Sequence, residues 1–380
     1  MFEKTKALCD SFLEMGIPGF DLLVYKNGEP VLRYMNGYSD RHNKIPMRGD
    51  ELYDIFSCSK VMTCTAALQL WEKGLFQLED KLSDYLPEFE HMTVRTPDGG
   101  VRPAEKPIRI ENLFTMTSGL NYDMNTPALR KLKADTGGVC ATRDVARAIA
   151  EGPLNFEPGA QYLYSLGHDV LAALVEVLSG QPFETYVQEH IFEPLGMTHS
   201  NFLLPMEDYR KVAPLYRGVE QTGEVSPHYL GNVPVYRFGV KHASGGAGCV
   251  STVEDYIKLT EALREGETLL KRSTIEMMTT NRLTEEQAQT YTLKANYGYG
   301  LGVRVAKESS GLSDFGWGGA AGAYLAIDIP HGITLYYAQH VVLAPNVPLR
   351  SKIYTTVLEE LEGICNNDQP VNPELSKLTY

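Results

Sequence analysis

Segments typical of strands lie at both ends of this chain, and the long region between them is typical of helices. Near the start, Phe20–Tyr25 and Pro30–Tyr34 flank Asn27-Gly28, a strong two-residue hairpin signal. Near the other end, Ala323–Ile329 and Ile333–Ala338 form a second predicted hairpin. This order predicts one α/β layer built from both ends of the chain, with a helical lobe inserted between them.

Two helical patterns mark the middle of the chain. In Ser57–Lys73 the apolar residues recur every three or four positions, and Gly74 follows where a helix commonly ends. A second apolar stripe runs over Val170–Leu178. Long loops are predicted at Thr96–Lys106 and around Arg210–Pro234. We therefore predict a discontinuous α/β sheet domain over 1–56 and 285–380, and a mainly helical lobe over 57–284.

The composition is that of a globular protein and excludes several classes. The chain has 380 residues, of which 43% are hydrophobic and 22% charged, so it is neither disordered nor collagen-like. Its apolar runs fall short of the ~18 residues that a membrane-spanning helix needs. The formal net charge is -13, which disfavours binding to a phosphate backbone. We therefore expect neither a nucleic-acid partner nor membrane insertion.

The cysteines and the N-terminal segment both bear on the compartment. Glu3 and Asp10 lie in an N-terminal segment that lacks the apolar core of a secretory signal. In a chain this long, widely spaced cysteines without a CxxC pair are typical of reduced, mostly buried thiols. We therefore expect a cytoplasmic protein. The six cysteines are Cys9, Cys58, Cys64, Cys140, Cys249 and Cys365.

Signatures of metal and cofactor chemistry are missing from the sequence. It contains no HExxH or other histidine cluster at metal-ligand spacing, no phosphate-binding loop and no GxSxG nucleophile elbow. Gly298, Gly300 and Gly302 alternate, but they do not form a dinucleotide-binding fingerprint. His168 and His340 fit either a pocket or a hydrogen-bonded structural role. We expect neither a metal ion nor an organic cofactor.

The remaining chemical signature is an SxxK motif, Ser57-Cys58-Ser59-Lys60. A serine hydroxyl is a poor nucleophile until a base accepts its proton. A lysine three residues later on a helix lies on the same face, and desolvation lowers a lysine pKa enough to make it that base. A serine at a helix start also offers its backbone N–H to an oxyanion. Because one SxxK is expected by chance in such a chain, a purely structural role stays open at this point.

Four stretches in consistent order give the motif a context. Phe56–Lys60 resembles the nucleophile segment of serine β-lactamases and penicillin-binding proteins. Leu113–Leu120, the region from Phe156 through Ser165 to Thr198, and the glycine-rich Ser244–Tyr256 resemble segments of the class C β-lactamase superfamily. The resemblance implies a β-lactamase-like α/β fold: an antiparallel sheet flanked by terminal helices, an inserted mainly helical lobe, and an active site between them.

The same resemblance implies roles for individual residues. Ser57 would be the nucleophile, and Tyr164 would work with Lys60 as general base and then protonate the leaving group. The charged form of Lys60 is expected to lower the pKa of Tyr164. The third element of the family aligns with Trp317-Gly318-Gly319, whose glycines would let a substrate lie against the strand. By position, the Ala320 N–H would join the Ser57 N–H in an oxyanion hole.

Two positions depart from the β-lactamase pattern. Leu166 stands where those enzymes carry an asparagine that contacts the amide side chain of the drug. Trp317 stands where they carry a lysine that holds its carboxylate. A pocket with leucine and tryptophan favours small neutral or apolar acyl groups. The combination resembles the family VIII carboxylesterases, which implies hydrolysis of short-chain esters, sometimes with slight action on β-lactams.

We therefore predict a serine hydrolase, most simply a carboxylesterase acting on a small-molecule ester or amide. Trp317, Gly318, Gly319, Leu166 and Tyr122 are the predicted substrate-binding residues, and Cys58 is predicted to be a packed small residue. Three alternatives stay open: a β-lactamase or D-amino-acid peptidase or amidase, an acyltransferase, and a non-catalytic ligand-binding homologue.

Overall fold

The computed structural model of the protein describes residues 1–221, 224–231 and 238–363. Cys365 and the last part of the predicted sheet domain lie outside the described residues. No helix within these residues combines the length and the apolar character that crossing a bilayer requires.

Helices and strands are numbered here in chain order within the described residues. The helices are α1 (Glu3–Glu14), α2 (Ser59–Glu72), α3 (Ile110–Phe114), α4 (Pro127–Asp135), α5 (Thr142–Ala150), α6 (Gly167–Ser179), α7 (Phe183–Val187), α8 (Glu193–Leu195), α9 (Val253–Glu265), α10 (Arg272–Met278), α11 (Glu285–Ala288) and α12 (Lys352–Glu362). The strands are β1 (Gly19–Lys26), β2 (Glu29–Asp40), β3 (Ile45–Pro46), β4 (Tyr53–Asp54), β5 (Thr93–Arg95), β6 (Val101–Pro103), β7 (Leu215–Gln221), β8 (Glu224–Gly231), β9 (Val250–Ser251), β10 (Tyr297–Tyr299), β11 (Arg304–Ala306), β12 (Phe315–Gly316), β13 (Tyr324–Asp328), β14 (Ile333–Ala338) and β15 (Val341–Val342).

The main sheet combines both ends of the chain. Its eight strands are antiparallel and lie in the order β10-β11-β12-β13-β14-β1-β2-β3. β1 pairs with β14 from Asp21↔Ala338 to Lys26↔Ile333. The predicted two-residue turn joins β1 to β2. The φ values of Asn27 and Gly28 are 52° and 86°, which suit the twist of a hairpin. The predicted α/β layer built from both ends of the chain is therefore confirmed.

Helices cover both faces of this sheet. Successive residues of a strand point to opposite faces, and Tyr336 and Tyr337 of β14 show which helix lies on each side. Tyr336 stacks on Tyr256 of α9, with ring centroids 4.1 Å apart. Tyr337 packs edge-to-face against Phe12 of α1 at 6.0 Å. α12 packs on α1, so the two terminal helices share one face of the sheet.

The helical region is centred on α2. Eleven of its fourteen residues are buried, as expected of a helix that is enclosed on all sides rather than amphipathic. α6 packs along it, and α5 and α3 pack on α6. α9 lies within the range predicted as helical lobe, yet it packs against β13, β14 and β1. The boundaries proposed for the two parts of the chain stay a prediction.

Two segments predicted as loops contain strands. β6 lies within Thr96–Lys106 and pairs with β5. β7 and β8 form a hairpin within Arg210–Pro234, and β7 also pairs with β15 in parallel. The loop prediction is wrong at these strands because they are short or lie at a sheet edge, where proline and polar residues are tolerated and alternation is weak. Residues 222–223 and 232–237 of the second segment lie outside the described residues.

Candidate active site

The chain turns sharply into α2 at Ser57. A 3-10 turn, Phe56–Cys58, follows β4 almost directly and leads into the helix. Phe56 has φ = 49°, in the left-handed region, which costs an aromatic residue on the order of 1–2 kcal/mol. Its side chain is buried, so the packing of the ring holds the strained turn in place. No sequence motif predicted this turn, which fixes Ser57 at the helix start.

Two side chains converge on the Ser57 hydroxyl. The Lys60 Nζ lies 3.3 Å from Ser57 Oγ, because residues three apart share one face of a helix. The Tyr164 hydroxyl donates a 2.6 Å hydrogen bond to the same oxygen. Lys60 Nζ also donates to the Gly246 carbonyl at 2.7 Å. The structure therefore brings together the three residues that the sequence predicted as nucleophile and base.

Lys60 is held where a charge is costly. Its side chain is fully buried, and this burial lowers its pKa from 10.5 to about 7, although the Asp169 carboxylate opposes the shift. An amine with such a pKa is neutral in about half of the molecules at pH 7 and then accepts a proton. The environment thus gives Lys60 the property required of a general base.

The pKa of Tyr164 moves in the direction opposite to the one predicted. Burial raises it above the ordinary value of a phenol, and the contacts with Ser57 and Trp317 offset only part of this effect. The expectation that Lys60 lowers this pKa is therefore wrong. The reason is that a buried lysine which readily loses its proton offers little positive charge to stabilise a phenolate. Tyr164 is a neutral hydrogen-bond donor at neutral pH.

The segment after β12 forms another wall of the site. The Trp317 indole stacks on the Tyr164 ring, with centroids 5.9 Å apart and planes at 24°. A Cβ atom placed on Gly319 would lie 2.4 Å from the Ile55 carbonyl oxygen, at the entry to the Ser57 turn. The same atom on Gly318 would meet its nearest neighbour at 3.3 Å. Of the two predicted glycines, Gly319 is thus the one required by close approach to the nucleophile segment.

Ala320 lies beside the turn that carries Ser57. It packs on the small apolar cluster that contains Phe56. The Gly319 N–H donates to the Ala323 carbonyl at 2.7 Å, which closes a tight turn over Ala320. In the part of the chain that the structure describes, the Ala320 N–H has no backbone acceptor. An amide in this state suits the oxyanion role that the resemblance implied.

Tyr122 and Leu166 occupy different surroundings. The Tyr122 ring lies parallel to Tyr164, with centroids 5.4 Å apart and an interplanar angle of 2°. The Lys60 Nζ lies 5.3 Å from the centroid of Tyr122. Leu166 belongs to the main hydrophobic core, and its N–H donates to the Asn121 carbonyl at 3.0 Å. Tyr122 therefore borders the reacting groups, whereas Leu166 anchors the segment that carries Tyr164.

Sequence analysis missed two groups that surround Lys60. One is the Gly246 carbonyl, for which the only signal was the glycine-rich stretch it belongs to. The other is Asp169, which lies in the first turn of α6 and is 2% exposed. No motif pointed to Asp169, because a carboxylate five residues after Tyr164 belongs to no recognised spacing.

Three residues with open roles are buried structural groups. His168 Nε2 lies 3.1 Å from Cys64 Sγ, and His340 Nδ1 donates to the Ala213 carbonyl at 2.7 Å. Burial lowers the pKa of His340 to about 4 and that of His168 well below its ordinary value. Cys58 is fully buried, and burial raises the pKa of its thiol to about 12. Neither histidine is charged at pH 7, and the Cys58 thiol is not a thiolate.

Within 1–221, 224–231 and 238–363, no three or more His, Cys, Asp or Glu side chains are grouped so that they could hold a metal ion.

Comparison with known proteins identifies the family of this chain. A model of the Beta-lactamase family matches residues 6–344. Protein Rv1367c of Mycobacterium tuberculosis is 29% identical over 364 residues, covering 88% of each protein. Esterase EstB of Burkholderia gladioli is 31% identical over 269 residues, covering 66% of this chain and 67% of the esterase. The solved structure of EstCE1, a hydrolase with promiscuous acyltransferase activity, has a TM-score of 0.76 at 24% identity and covers 93% of this chain and 97% of its own.

These matches confirm the predicted β-lactamase-like fold and the predicted enzyme class, a serine hydrolase. The family match extends over most of the chain and includes every strand of the main sheet. From its sequence and its fold, this chain belongs to the Beta-lactamase family.

Proposed function

We propose that the protein is a carboxylesterase that hydrolyses small, neutral, short-chain esters through an acyl-enzyme on Ser57. One observation carries the proposal: the Ser57 hydroxyl lies within hydrogen-bond reach of both a lysine whose pKa is about 7 and a protonated phenol. A nucleophile, a base and an acid are thus in contact before substrate binds.

The first step forms the acyl-enzyme. Ser57 Oγ bonds to the ester carbonyl carbon while its proton moves to the neutral Lys60 amine. The N–H groups of Ser57 and Ala320 donate to the oxyanion of the tetrahedral intermediate, and one such donor contributes about 2.7–4 kcal/mol to transition-state stability. As the intermediate collapses, the bond to the alcohol oxygen breaks and Tyr164 protonates this oxygen. Lys60 returns the proton to Tyr164.

The second step releases the acid. A water molecule takes the place of the alcohol and gives its proton to Lys60 as it attacks the acyl carbon. The same two amides hold the second oxyanion. Collapse breaks the bond to Ser57 Oγ, and Lys60 returns its extra proton to this oxygen, so both residues regain their starting protonation states.

The walls of the site favour neutral substrates. The rings of Trp317 and Tyr122 lie beside Tyr164, and neither supplies a cation for a substrate carboxylate. A β-lactam or peptide substrate would therefore lose interactions that a small ester does not need. The relationship to EstB, an esterase by name, supports the same substrate class.

The test compares initial rates on p-nitrophenyl butyrate for the wild type, Ser57→Ala and Cys58→Ala at equal folded concentration. We expect Ser57→Ala to lose roughly 10³-fold or more in kcat, and Cys58→Ala, altered one residue away, to retain turnover. Mass spectrometry of quenched wild-type enzyme should show a butyryl group on the peptide that contains Ser57. Equal rates for wild type and Ser57→Ala would refute the proposal.

Acyl transfer is the second candidate, since the same acyl-enzyme can react with an alcohol instead of water. EstCE1, whose name includes promiscuous acyltransferase activity, supports including it. Adding a primary alcohol to the assay separates the two activities, because a transferase yields more new ester than free acid.

Faster turnover of nitrocefin than of the ester would favour the β-lactamase or peptidase alternative. Failure of every substrate would favour a ligand-binding homologue.

The proposal also includes the cellular location and the division of the chain into two parts. A cytoplasmic location is supported by the five described cysteines, which are all free and buried.

The division of the chain is proposed as an α/β sheet domain over 1–56 and 285–380 and a helical lobe over 57–284. In this division α9 joins the two parts, because it packs against the sheet.

A further inference from the structure

The glycine-rich segment Ser244–Gly246 is wedged between α2 and α6, and the mechanism above uses only one of its carbonyls. Thr63 Oγ1 of α2 donates to the Gly245 carbonyl at 2.7 Å. A Cβ atom on Gly245 would lie 2.4 Å from the His168 carbonyl oxygen of α6. The next carbonyl, that of Gly246, accepts from Lys60. The position of this segment therefore decides where the Lys60 amine is held.

Asp169 fixes this segment from the side of α6. The Ser244 hydroxyl donates a 2.6 Å hydrogen bond to Asp169 Oδ1. His242 Nε2 lies 3.5 Å from the same oxygen. The Phe238 N–H donates to His242 Nδ1 at 3.3 Å, so we assign the ring proton to Nε2, facing the carboxylate. One oxygen of Asp169 thus accepts from Ser244, the first residue of the glycine-rich segment, and faces the His242 ring.

The other oxygen of Asp169 faces the surroundings of Lys60. A Cβ atom placed on Gly246 would lie 2.6 Å from Asp169 Oδ2 and 3.5 Å from Lys60 Nζ. Oδ2 is buried and has no hydrogen-bond partner among the described residues. A buried carboxylate oxygen without a partner is destabilising unless a positive charge lies nearby. The Lys60 amine lies nearby, and it becomes positive when it accepts a proton.

Four titratable groups around Lys60 are neutral at pH 7: the thiols of Cys58 and Cys64, the Tyr164 phenol and the His168 ring. Burial raises the pKa of both thiols and of the Tyr164 phenol, and lowers that of His168. Burial also opposes ionisation of Asp169, but His242, Ser244 and Lys60 together hold the pKa of this carboxyl below its ordinary value. Lys60 therefore faces one carboxylate. The Tyr122 ring also lies beside Lys60, and His242 lies on the far side of Asp169.

We propose that Asp169 is a positioning residue for Lys60. It fixes the turn whose Gly246 carbonyl accepts from the Lys60 amine, and its unpartnered oxygen stabilises the ammonium that forms when Lys60 takes the Ser57 proton. This inference rests on the proposed acyl-enzyme function. Without the carboxylate, Lys60 would release its proton more readily and would be a weaker base. The neutral form would then persist to lower pH, but each turnover would be slower.

The experiment measures kcat and KM on p-nitrophenyl butyrate from pH 5 to 9 for the wild type and Asp169→Asn. We expect the plateau kcat of Asp169→Asn to fall roughly 10- to 100-fold, with KM little changed. The acid limb, which is the rise of kcat with pH as Lys60 loses its proton, should have its midpoint about one pH unit lower. A residue that only supported the fold would lower the plateau without moving the limb. Thermal unfolding monitored by circular dichroism establishes that the variant is folded.

Ser244→Ala is the matched control, because it removes a donor to Asp169 and leaves the carboxylate in place. Its acid limb should stay at the wild-type position. If Asp169→Asn does not fold, Asp169→Ser places a smaller neutral side chain at the same site and gives the same test. The inference would be overturned if a folded, active Asp169 variant kept the wild-type midpoint of the acid limb. It would also be overturned if Ser244→Ala moved this midpoint as far as the Asp169 variant does. Lack of turnover by the wild type would instead refute the esterase proposal.

Discussion

The Tyr164 hydroxyl lies closer to Ser57 Oγ, at 2.6 Å, than does the Lys60 amine, at 3.3 Å. Burial raises the pKa of Tyr164, so the phenol keeps its proton at neutral pH and donates it to Ser57 Oγ in the resting site. The proposed mechanism therefore gives the two residues separate roles, with Lys60 as the acceptor in the attack and Tyr164 as the donor to the departing alcohol.

Replacing Tyr164 by phenylalanine should slow esters with poor leaving groups most. Tyr164→Phe removes the acid, for which a loss of about 10²- to 10⁴-fold in kcat is expected. The loss should be larger for ethyl butyrate than for p-nitrophenyl butyrate, because p-nitrophenolate leaves without protonation. Product release measured by titration and by absorbance, respectively, gives the two rates.

Tyr299→Phe is the control for that experiment. The Tyr299 ring packs edge-to-face on Trp317 at 5.1 Å, and its buried hydroxyl has no hydrogen-bond partner among the described residues. Its removal should leave both rates near the wild-type values and should not lower the unfolding temperature. Equal losses for the two esters in Tyr164→Phe would contradict the role of leaving-group acid.

The pH dependence of the rate should follow Lys60. Because burial sets the pKa of Lys60 at about 7, kcat/KM should rise with pH and level off above a midpoint near 7. Lys60→Arg, which stays charged throughout, should be inactive at every pH from 5 to 9. A wild-type profile that is flat across this range would show that the base is a different group.

The free energy of unfolding should increase with pH because of Lys60. The pKa of Lys60 is about 7 in the folded protein against an ordinary value of 10.5, so between these values the unfolded chain binds more protons. The free energy of unfolding therefore gains a contribution of about 2 kcal/mol between pH 7 and pH 9. Urea unfolding of the wild type and Lys60→Met at both pH values measures it. The increase should be smaller in Lys60→Met by that amount, and equal increases would argue against a depressed lysine pKa.

The two glycines after Trp317 should respond differently to alanine. Gly319→Ala would place a methyl group 2.4 Å from the Ile55 carbonyl oxygen, so the wall segment must move away from the Ser57 turn. We expect kcat to fall at least roughly tenfold, because an oxyanion donor is displaced. Gly318→Ala meets its nearest atom at 3.3 Å and should keep most of its activity. Comparable losses in both variants would mean that the close approach at Gly319 has no special role.

The features predicted correctly from sequence depend on local patterns. The β1–β2 hairpin follows from its two-residue turn, and the contact of Ser57 with Lys60 follows from their spacing on a helix. The order of strands and helices also predicted one layer built from both ends of the chain, but it did not specify that β1 pairs with β14, more than 300 positions away. No periodicity within either strand specifies that partner.

The features that were missed depend on three-dimensional surroundings. The direction of the Tyr164 pKa shift is set by burial between segments that are distant in sequence. The left-handed conformation of Phe56 appears at a residue type that rarely adopts it, so no propensity predicts it. Asp169 gains its importance from Ser244 and His242, which follow it by more than 70 positions. Such relationships are properties of the folded chain rather than of any short motif.

The pairing of β1 with β14 also determines when the enzyme becomes active during its synthesis. Translation proceeds from the N-terminus, so Ser57 and Lys60 leave the ribosome long before Trp317, Gly319 and the strand that joins β1. A nascent chain that already contains its nucleophile therefore has neither the oxyanion wall nor a completed sheet. The site is therefore complete only after β14 has emerged, and until then β1 presents an unpaired strand edge to other chains.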